Sequence, residues 1–335
     1  MNYFILMIVL FIIGYLFIAL EHPLKISKTA TALLLAALMW AVFATMGPSF
    51  SHEVLVQHLG DIAEILFFLV GAMTIVEIID QHEGFNIVTD KITTKSKRKL
   101  LWTISILTFF MSAVLDNLTT AIVMCALLKK LVGNKQDRWF FCGMIILAAN
   151  AGGAWSPIGD ITTIMLWIKG NITAGKIILE TFIPSLISML VPLIIITFTM
   201  KGNMEKPTKD DNDGNSPKIT RQQSSIIFFL GIGVLLFVPI FKTITHLPPY
   251  IGILFGLGLI WAVTEIMHKS NAENFVKLNP SNIIRRIDMP SILFFLGILM
   301  AVACLQTAGH LDLLSKSLDK IGDIYVINII IGVLS

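Results

Sequence analysis

The feature that most constrains this chain is a succession of apolar runs, each near the length of a membrane span. They cover Tyr3–Leu20, Thr29–Met46, Ile62–Ile79, Ile177–Met200, Ser225–Phe241, Tyr250–Met267 and Ile292–Leu305. Apolar stretches of roughly 18 residues or more read as transmembrane helices. The charge content agrees: 14% of residues are charged, against about 25% in soluble domains. These runs predict an all-α polytopic membrane protein. The first run has no basic residue ahead of it, and Phe17–Pro23 makes a poor small-residue cleavage site, so it reads as a retained helix rather than a signal peptide. Cys125, Cys142 and Cys304 all fall inside apolar segments and read as packing residues. The net charge of +3 resides in loops between spans and suggests no nucleic-acid partner.

The basic residues set a topology, because Lys and Arg near span ends favour the cytoplasm. With the amino terminus outside, successive crossings leave only Lys169, Lys176, Lys242, Lys316 and Lys320 of the 25 basic residues on the outer side. Both flanks of Leu100–Val132 are basic: Lys91, Lys95, Lys97, Arg98 and Lys99 precede it, and Lys129, Lys130, Lys135 and Arg138 follow. Each arm up to Asp116 is about 24 Å long at 1.5 Å per residue, short of a hydrocarbon core of about 30 Å. A re-entrant helical hairpin over about 100–132, with Asp116 at its tip, fits better than two full crossings.

Residues 201–223 are polar, mixed in charge and without an apolar face, and read as a cytoplasmic linker. It separates two related halves, 1–200 and 224–335. Ile65-Leu-Phe-Phe-Leu69 recurs as Ile292-Leu-Phe-Phe-Leu296, with Asp61 matching Asp288 and Met73 matching Met300; Trp40-Ala-Val42 recurs as Trp261-Ala-Val263. The topology runs the matched helices in opposite senses. An inverted-repeat transporter is therefore expected, with its site near the midplane. Ile324–Ser335 reads as the first arm of a second hairpin that stops before any counterpart of Leu115-Asp116-Asn117, so the chain is expected to be a C-terminally truncated form whose own activity the sequence leaves open.

Two polar clusters interrupt the apolar sequence. One is Ser112–Thr120, at the hairpin tip. The other is Ala148–Thr163, inside a stretch (about 139–168) too long for one untilted span. Gly152, Gly153, Pro157 and Gly159 predict a broken helix, with one half ending near Ala149 and the next starting near Asp160. Free carbonyls and half-helix ends at such breaks are where transporters coordinate ions. Asp116 and Asp160 each begin a helical stretch, so capping is the plain structural reading. Ser or Thr would cap without burying charge, however, and intramembrane carboxylates are functional candidates by default. Asn117, Thr119, Thr120, Asn150, Ser156 and Thr163 add the neutral oxygens that hard cations prefer. Glu77, near the cytoplasmic end of its helix, either lines an ion path or snorkels to water.

The segments SAVLDNLTTAI and AANAGGAWSPIGDITTIMLW resemble the signature of the NhaD-type sodium/proton antiporters, within the larger ion transporter superfamily. ILFFLVGAMTIVEIIDQHEGF is also similar to that family's pattern. The resemblance implies exchange of cytoplasmic Na⁺, with Li⁺ as a further substrate, for external H⁺ across a bacterial inner membrane. It implies Asp116-Asn117 at a hairpin tip and Ser156–Asp160 in a broken helix, with no cofactor and no enzymatic step; a homodimer is compatible with it. Two alternatives remain. A dicarboxylate, citrate or arsenite carrier of the same superfamily would favour neutral tips, because a buried carboxylate repels an anion. An intramembrane aspartyl protease would need two carboxylates sharing a proton, but the residue two before Gly159-Asp160 is Pro157, not glycine.

Overall fold

Apolar composition and length carry through into helices. The computed structural model describes residues 3–47, 50–89, 94, 96–200, 202–204, 219–269 and 278–334, and among these 7 helices are long and apolar enough to cross a membrane. In chain order the helices are α1 (Tyr3–Ala19), α2 (Glu21–Leu24), α3 (Lys28–Met46), α4 (His52–Gln81), α5 (Asn86–Thr89), α6 (Lys97–Leu115), α7 (Asn117–Leu131) and α8 (Lys135–Ala154). Then come α9 (Ile161–Ile168), α10 (Ala174–Thr199), α11 (Arg221–Thr245), α12 (Pro249–His268), α13 (Pro280–Ile283), α14 (Met289–Thr307), α15 (His310–Asp319) and α16 (Ile324–Leu334). The protein is an all-α polytopic membrane protein. Most of the 201–223 segment lies outside the described residues.

The chain divides into two compact units, one formed by Met1–Leu66 with Asp288–Ser335 and the other by Phe67–Ile287. In the first, α1 and α14 pack on α3. The α3–α14 crossing is close because Gly297 has no side chain: a Cβ there would lie 2.6 Å from the Ala32 carbonyl carbon. The buried seam comprises Met7, Leu35, Met39, Trp40, Phe43, Ala301 and Cys304. Trp40 Nε1 donates to the Met300 carbonyl at 2.9 Å, which satisfies the one polar group of an otherwise buried indole.

In the second unit α6, α7, α8 and α10 form one bundle, around Leu100, Ile104, Phe109, Met124, Phe141, Met144, Ile145 and Leu193. Lys97 Nζ meets Asp137 Oδ2 at 2.6 Å, so the first turns of α6 and α8 lie side by side. The chain that leaves along α6 therefore returns to its starting level along α7. A single residue, Asp116, joins these two helices, at φ 77° and ψ 157°. A non-glycine residue with positive φ is uncommon, and this combination of positive φ with extended ψ is essentially glycine's own, so Asp116 is held in a strained conformation. The helix α6 is 19 residues long, about 28 Å at 1.5 Å per residue, and so exceeds the arm expected from sequence. The extra length is the Lys97–Lys99 end, basic residues that the apolar run excluded.

Two boundaries differ from expectation. The helix α4 starts at His52, ten residues before the apolar run it contains, because a helix continues beyond its apolar part. The helix α8 does not end near Ala149 but runs to Ala154, straight through Gly152 and Gly153. These glycines serve close packing. A Cβ on Gly152 would lie 2.1 Å from the Phe109 carbonyl oxygen, and one on Gly153 would lie 2.3 Å from that of Gly159.

Candidate functional site

The site is built where α8 stops, and the stop is made by side chains rather than by glycine. After Ala154 the chain turns through Trp155–Asp160 and restarts as α9. Ser156 Oγ donates to the Ala113 carbonyl at 2.5 Å and accepts from Ile158 N. Thr163 Oγ1 reaches back to the carbonyls of Ser156 at 3.0 Å and Asp160 at 2.8 Å. Ser112 Oγ donates to the Ala149 carbonyl at 2.6 Å, and Gly159 sits against the Ser112 carbonyl, where a Cβ would be only 2.7 Å away. These bonds fasten the break to the end of α6. Otherwise unpaired backbone groups at membrane depth are thus satisfied within the protein.

Fastening brings three side chains together. Asp160 is the N-cap of α9: its Oδ1 accepts from Thr162 N at 2.8 Å and from Thr162 Oγ1. Its other oxygen, Oδ2, accepts from Asn117 Nδ2 at 2.6 Å. The same Asn117 amide lies 3.0 Å from Asn150 Oδ1. One carboxylate and two carboxamides, from α9, α7 and α8, thus meet at one point. Asn117 and Asn150 line an open cleft of about 430 Å³, otherwise bounded by Leu118, Ala121, Ile122, Cys125, Ile146 and Ala149. Asn117 and Asn150 line the apolar cleft and Asp160 bonds to Asn117 behind them, a set of hard oxygen ligands suited to a small hard cation.

Asp116 lies one residue from this cluster in sequence but has different surroundings. It is the single polar residue among those lining a narrow crevice made by Phe68, Leu69, Ala72, Met73, Val114, Leu115, Ile158, Ile164, Leu235 and Ile253. Thr120 is fully buried, and its hydroxyl, like those of Ser105 and Thr108, has no hydrogen-bond partner among the described residues. The side chain of Thr119 lies outside the described residues. Ser156 and Thr163 are buried and spend their hydroxyls on backbone carbonyls. Glu77 stands apart, accepting from Gln81 Nε2 at 2.9 Å, while Gln81 in turn accepts from Arg286 Nη1. Ser112 and Thr162 lie within the two polar clusters of the sequence without being candidate ligands, and the structure gives each a bond at the site. The spacing Asp-x-Thr, an N-cap two residues before its donor, was the available signal for Thr162.

A family model described as CitMHS, citrate transporter, matches residues 8–335. The chain belongs to this family. Within the citrate transporter family its likeness runs to sodium/proton antiporters. Sodium/proton antiporter 1 of Arabidopsis thaliana is 43% identical over 337 residues, covering 100% of this chain and 58% of that relative. Sodium/proton antiporter 2 of the same plant is 43% identical, covering 98% of this chain and 79% of the relative. The Na(+)/H(+) antiporter NhaD of Vibrio cholerae is 29% identical, covering 98% and 74%. The NhaD-type resemblance carried by the two polar motifs is therefore shown, and the chain spans little more than half of the first of these relatives.

Proposed function

We propose that the protein is a secondary transporter exchanging Na⁺ for H⁺, the two ions competing for the same intramembrane carboxylates. The observation that carries this reading is the hydrogen bond between Asp160 and Asn117, a residue that lines the cleft. Na⁺ arriving there would be held by Asp160 Oδ2 and the amide oxygens of Asn117 and Asn150, once Asn117 turns its oxygen inward. H⁺ arriving instead would sit on the carboxylate and leave the amide bond intact. Asp116 is the second carboxylate of the proposal, and by residue type Thr119 and Thr120 add neutral oxygens. Ser156 and Thr163 brace the turn, and Glu77 contributes to an ion path at the far end of α4. Li⁺ is a second substrate on the same chemistry.

The surrounding architecture is part of the reading. We take residues 1–200 and 224–335 as inverted repeats joined by a cytoplasmic 201–223 linker, with the amino terminus outside and the α6–α7 hairpin re-entrant. The Lys97–Asp137 ion pair supports the last point, since it puts the start of α6 beside the start of α8. We place the protein in a bacterial inner membrane; relatives come from bacteria and from a plant. It works without a cofactor and catalyses no covalent reaction, and a homodimer is compatible with it. The citrate reading suggested by the family description is disfavoured by Asp160, whose negative charge at the cleft would repel a tricarboxylate.

The test uses everted vesicles from an antiporter-deficient bacterium expressing the protein, energised to hold a ΔpH. Added Na⁺ should collapse that gradient and added citrate should not. Citrate uptake without a Na⁺-driven collapse would reverse the assignment.

A further inference from the structure

The half-helix that carries Asp160 is held at its other end by one side chain that the ion site does not include. The helix α9 is 8 residues long, two turns and about 12 Å at 1.5 Å per residue. At its start Asp160 caps it. Near its finish Trp167, 3% exposed, receives Lys242 from the last turns of α11. The Lys242 ammonium donates to the Trp167 carbonyl and lies 4.3 Å from the centre of the same residue's indole ring. One cation thus grips both the backbone and the side chain of a single residue. The Trp167 carbonyl also accepts from Gly170 N at 3.1 Å, while Asn171 N bonds to Leu166 O, and Gly170 has φ +75°. The helix end is therefore already closed by a glycine turn, and Lys242 is not needed to satisfy an orphan carbonyl. Lys169, at the C-cap itself, is exposed, so a cation for the helix dipole was also available nearby.

From this geometry, and resting on the exchange proposed above, we infer that Lys242 is a positioning residue for the Asp160 site, acting through Trp167 and the rigid two-turn helix between them. An 8-residue helix with buried Thr163, Ile164 and Trp167 behaves as a short rod. Movement at Trp167 is transmitted to the carboxylate at the other end. The 2.6 Å contact between Asp160 and Asn117 is sensitive to such movement, because ligand sites lose affinity steeply when a group is misplaced by about 1 Å.

A charge effect would act in the opposite direction, which makes the inference testable. Lys242 is about 10 Å from Asp160 along the helix axis, and its positive charge at that range repels a cation. Were charge its only influence, neutralising it would tighten Na⁺ binding. If it positions the helix, neutralising it weakens binding.

The experiment compares Lys242→Met, which keeps the stem, with Lys242→Arg, which retains a donor and a cation for the indole face. Both are read in vesicles by the half-saturating Na⁺ concentration and the maximal rate, together with amide hydrogen exchange over Ile161–Ile168. Lys242→Met should raise half-saturating Na⁺ about tenfold, with the maximal rate within about twofold, and should speed exchange in α9; Lys242→Arg should do neither. An unchanged or lowered half-saturating Na⁺ in Lys242→Met overturns the inference, as does equal damage from Lys242→Arg. If Lys242→Met does not reach the membrane, Lys242→Gln is read in the same way, with an expected rise of about threefold. Absence of Na⁺-driven exchange in the unaltered protein would instead sink the proposed function, and the hydrogen-exchange arm would still report whether Lys242 holds α9.

Discussion

Asn117 Nδ2 lies 2.6 Å from Asp160 Oδ2, so the first residue of one helix grips the cap of another. The contact joins two polar motifs that are 43 positions apart in sequence. Neither motif is complete alone: Asn117 comes from the first, and Asn150 and Asp160 come from the second. If that amide is a switching ligand, Asn117→Ala should cost more in Na⁺ affinity than in maximal rate. We expect half-saturating Na⁺ to rise at least about tenfold, because the variant removes one oxygen ligand of the proposed ion site. Titrating Na⁺ against ΔpH collapse in vesicles measures it, and an unchanged affinity would remove Asn117 from the site.

The close crossing of α6 and α8 gives a second expectation. Gly152→Ala places a methyl group 2.1 Å from the Phe109 carbonyl oxygen, and backbone cannot turn aside as a side chain can. Overpacking of this kind costs about 1–3 kcal/mol and would also separate Asn150 from Asn117. The variant should show a lower unfolding temperature in detergent and lose exchange, while Gly143→Ala, where a Cβ would meet nothing within 4 Å, should lose neither. Equal tolerance at both positions would contradict the packing argument.

A buried histidine pair predicts a pH dependence of stability. His82 follows the end of α4, and its Nδ1 is 2.7 Å from the Ile78 carbonyl. A carbonyl only accepts, so the proton is on Nδ1. His82 Nε2 then accepts from His268 Nε2 at 2.9 Å. Burial pushes His82 down to about 4 from its ordinary 6.5, against the bond to the Ile78 carbonyl, which favours the charged form, and with a smaller lowering from His268. Above pH 6.5 folded and unfolded chains agree, both neutral at this residue. As pH falls from 6.5 towards 4, the unfolded chain takes up a proton that the folded one refuses, so stability declines. Between pH 7.5 and 5 the loss is about 2 kcal/mol. Unfolding temperatures of the protein and of His82→Gln across this range test it: the variant should be flatter, and parallel curves would exclude the pair as the cause.

Much of this was legible in the sequence. Each apolar run became a helix, because in lipid a backbone has few other ways to satisfy its amides. The motif order predicts a helix boundary at Asp116 and an interruption before Asp160; Asp116 separates α6 from α7, and the interruption falls at Trp155–Asp160 rather than near Ala149. What local reading misjudged was the role of Gly152 and Gly153, taken as helix breakers. A glycine pair is compatible with unwinding or with close approach, and only the neighbouring Phe109 backbone decides between them. Ser156 and Thr163 read as neutral oxygen donors by residue type; that their hydroxyls also donate to the carbonyls of Ala113, Ser156 and Asp160 depends on positions the sequence does not contain.

The proposed topology has a direct chemical test. The Lys97–Asp137 ion pair and the basic flanks of the hairpin both put the start of α6 and the start of α8 on one side. Single cysteines replacing Lys95 and Lys135 should label from the cytoplasmic face only, together with one replacing Asn212. Labelling of the Lys95 and Lys135 positions from opposite faces would replace the hairpin with a single crossing.

The central claim is that the charge of Asp160, rather than its capping bond, carries the ion. Asp160→Asn separates these roles, because Asn caps a helix about as well as Asp and keeps an oxygen for Thr162 N. The decisive measurement is Na⁺-driven collapse of ΔpH in vesicles carrying Asp160→Asn at matched membrane abundance. The account predicts that α9 stays folded and exchange is lost, with the activity of Asp116→Asn falling in parallel. Substantial exchange retained by Asp160→Asn would contradict it and return this carboxylate to a structural role.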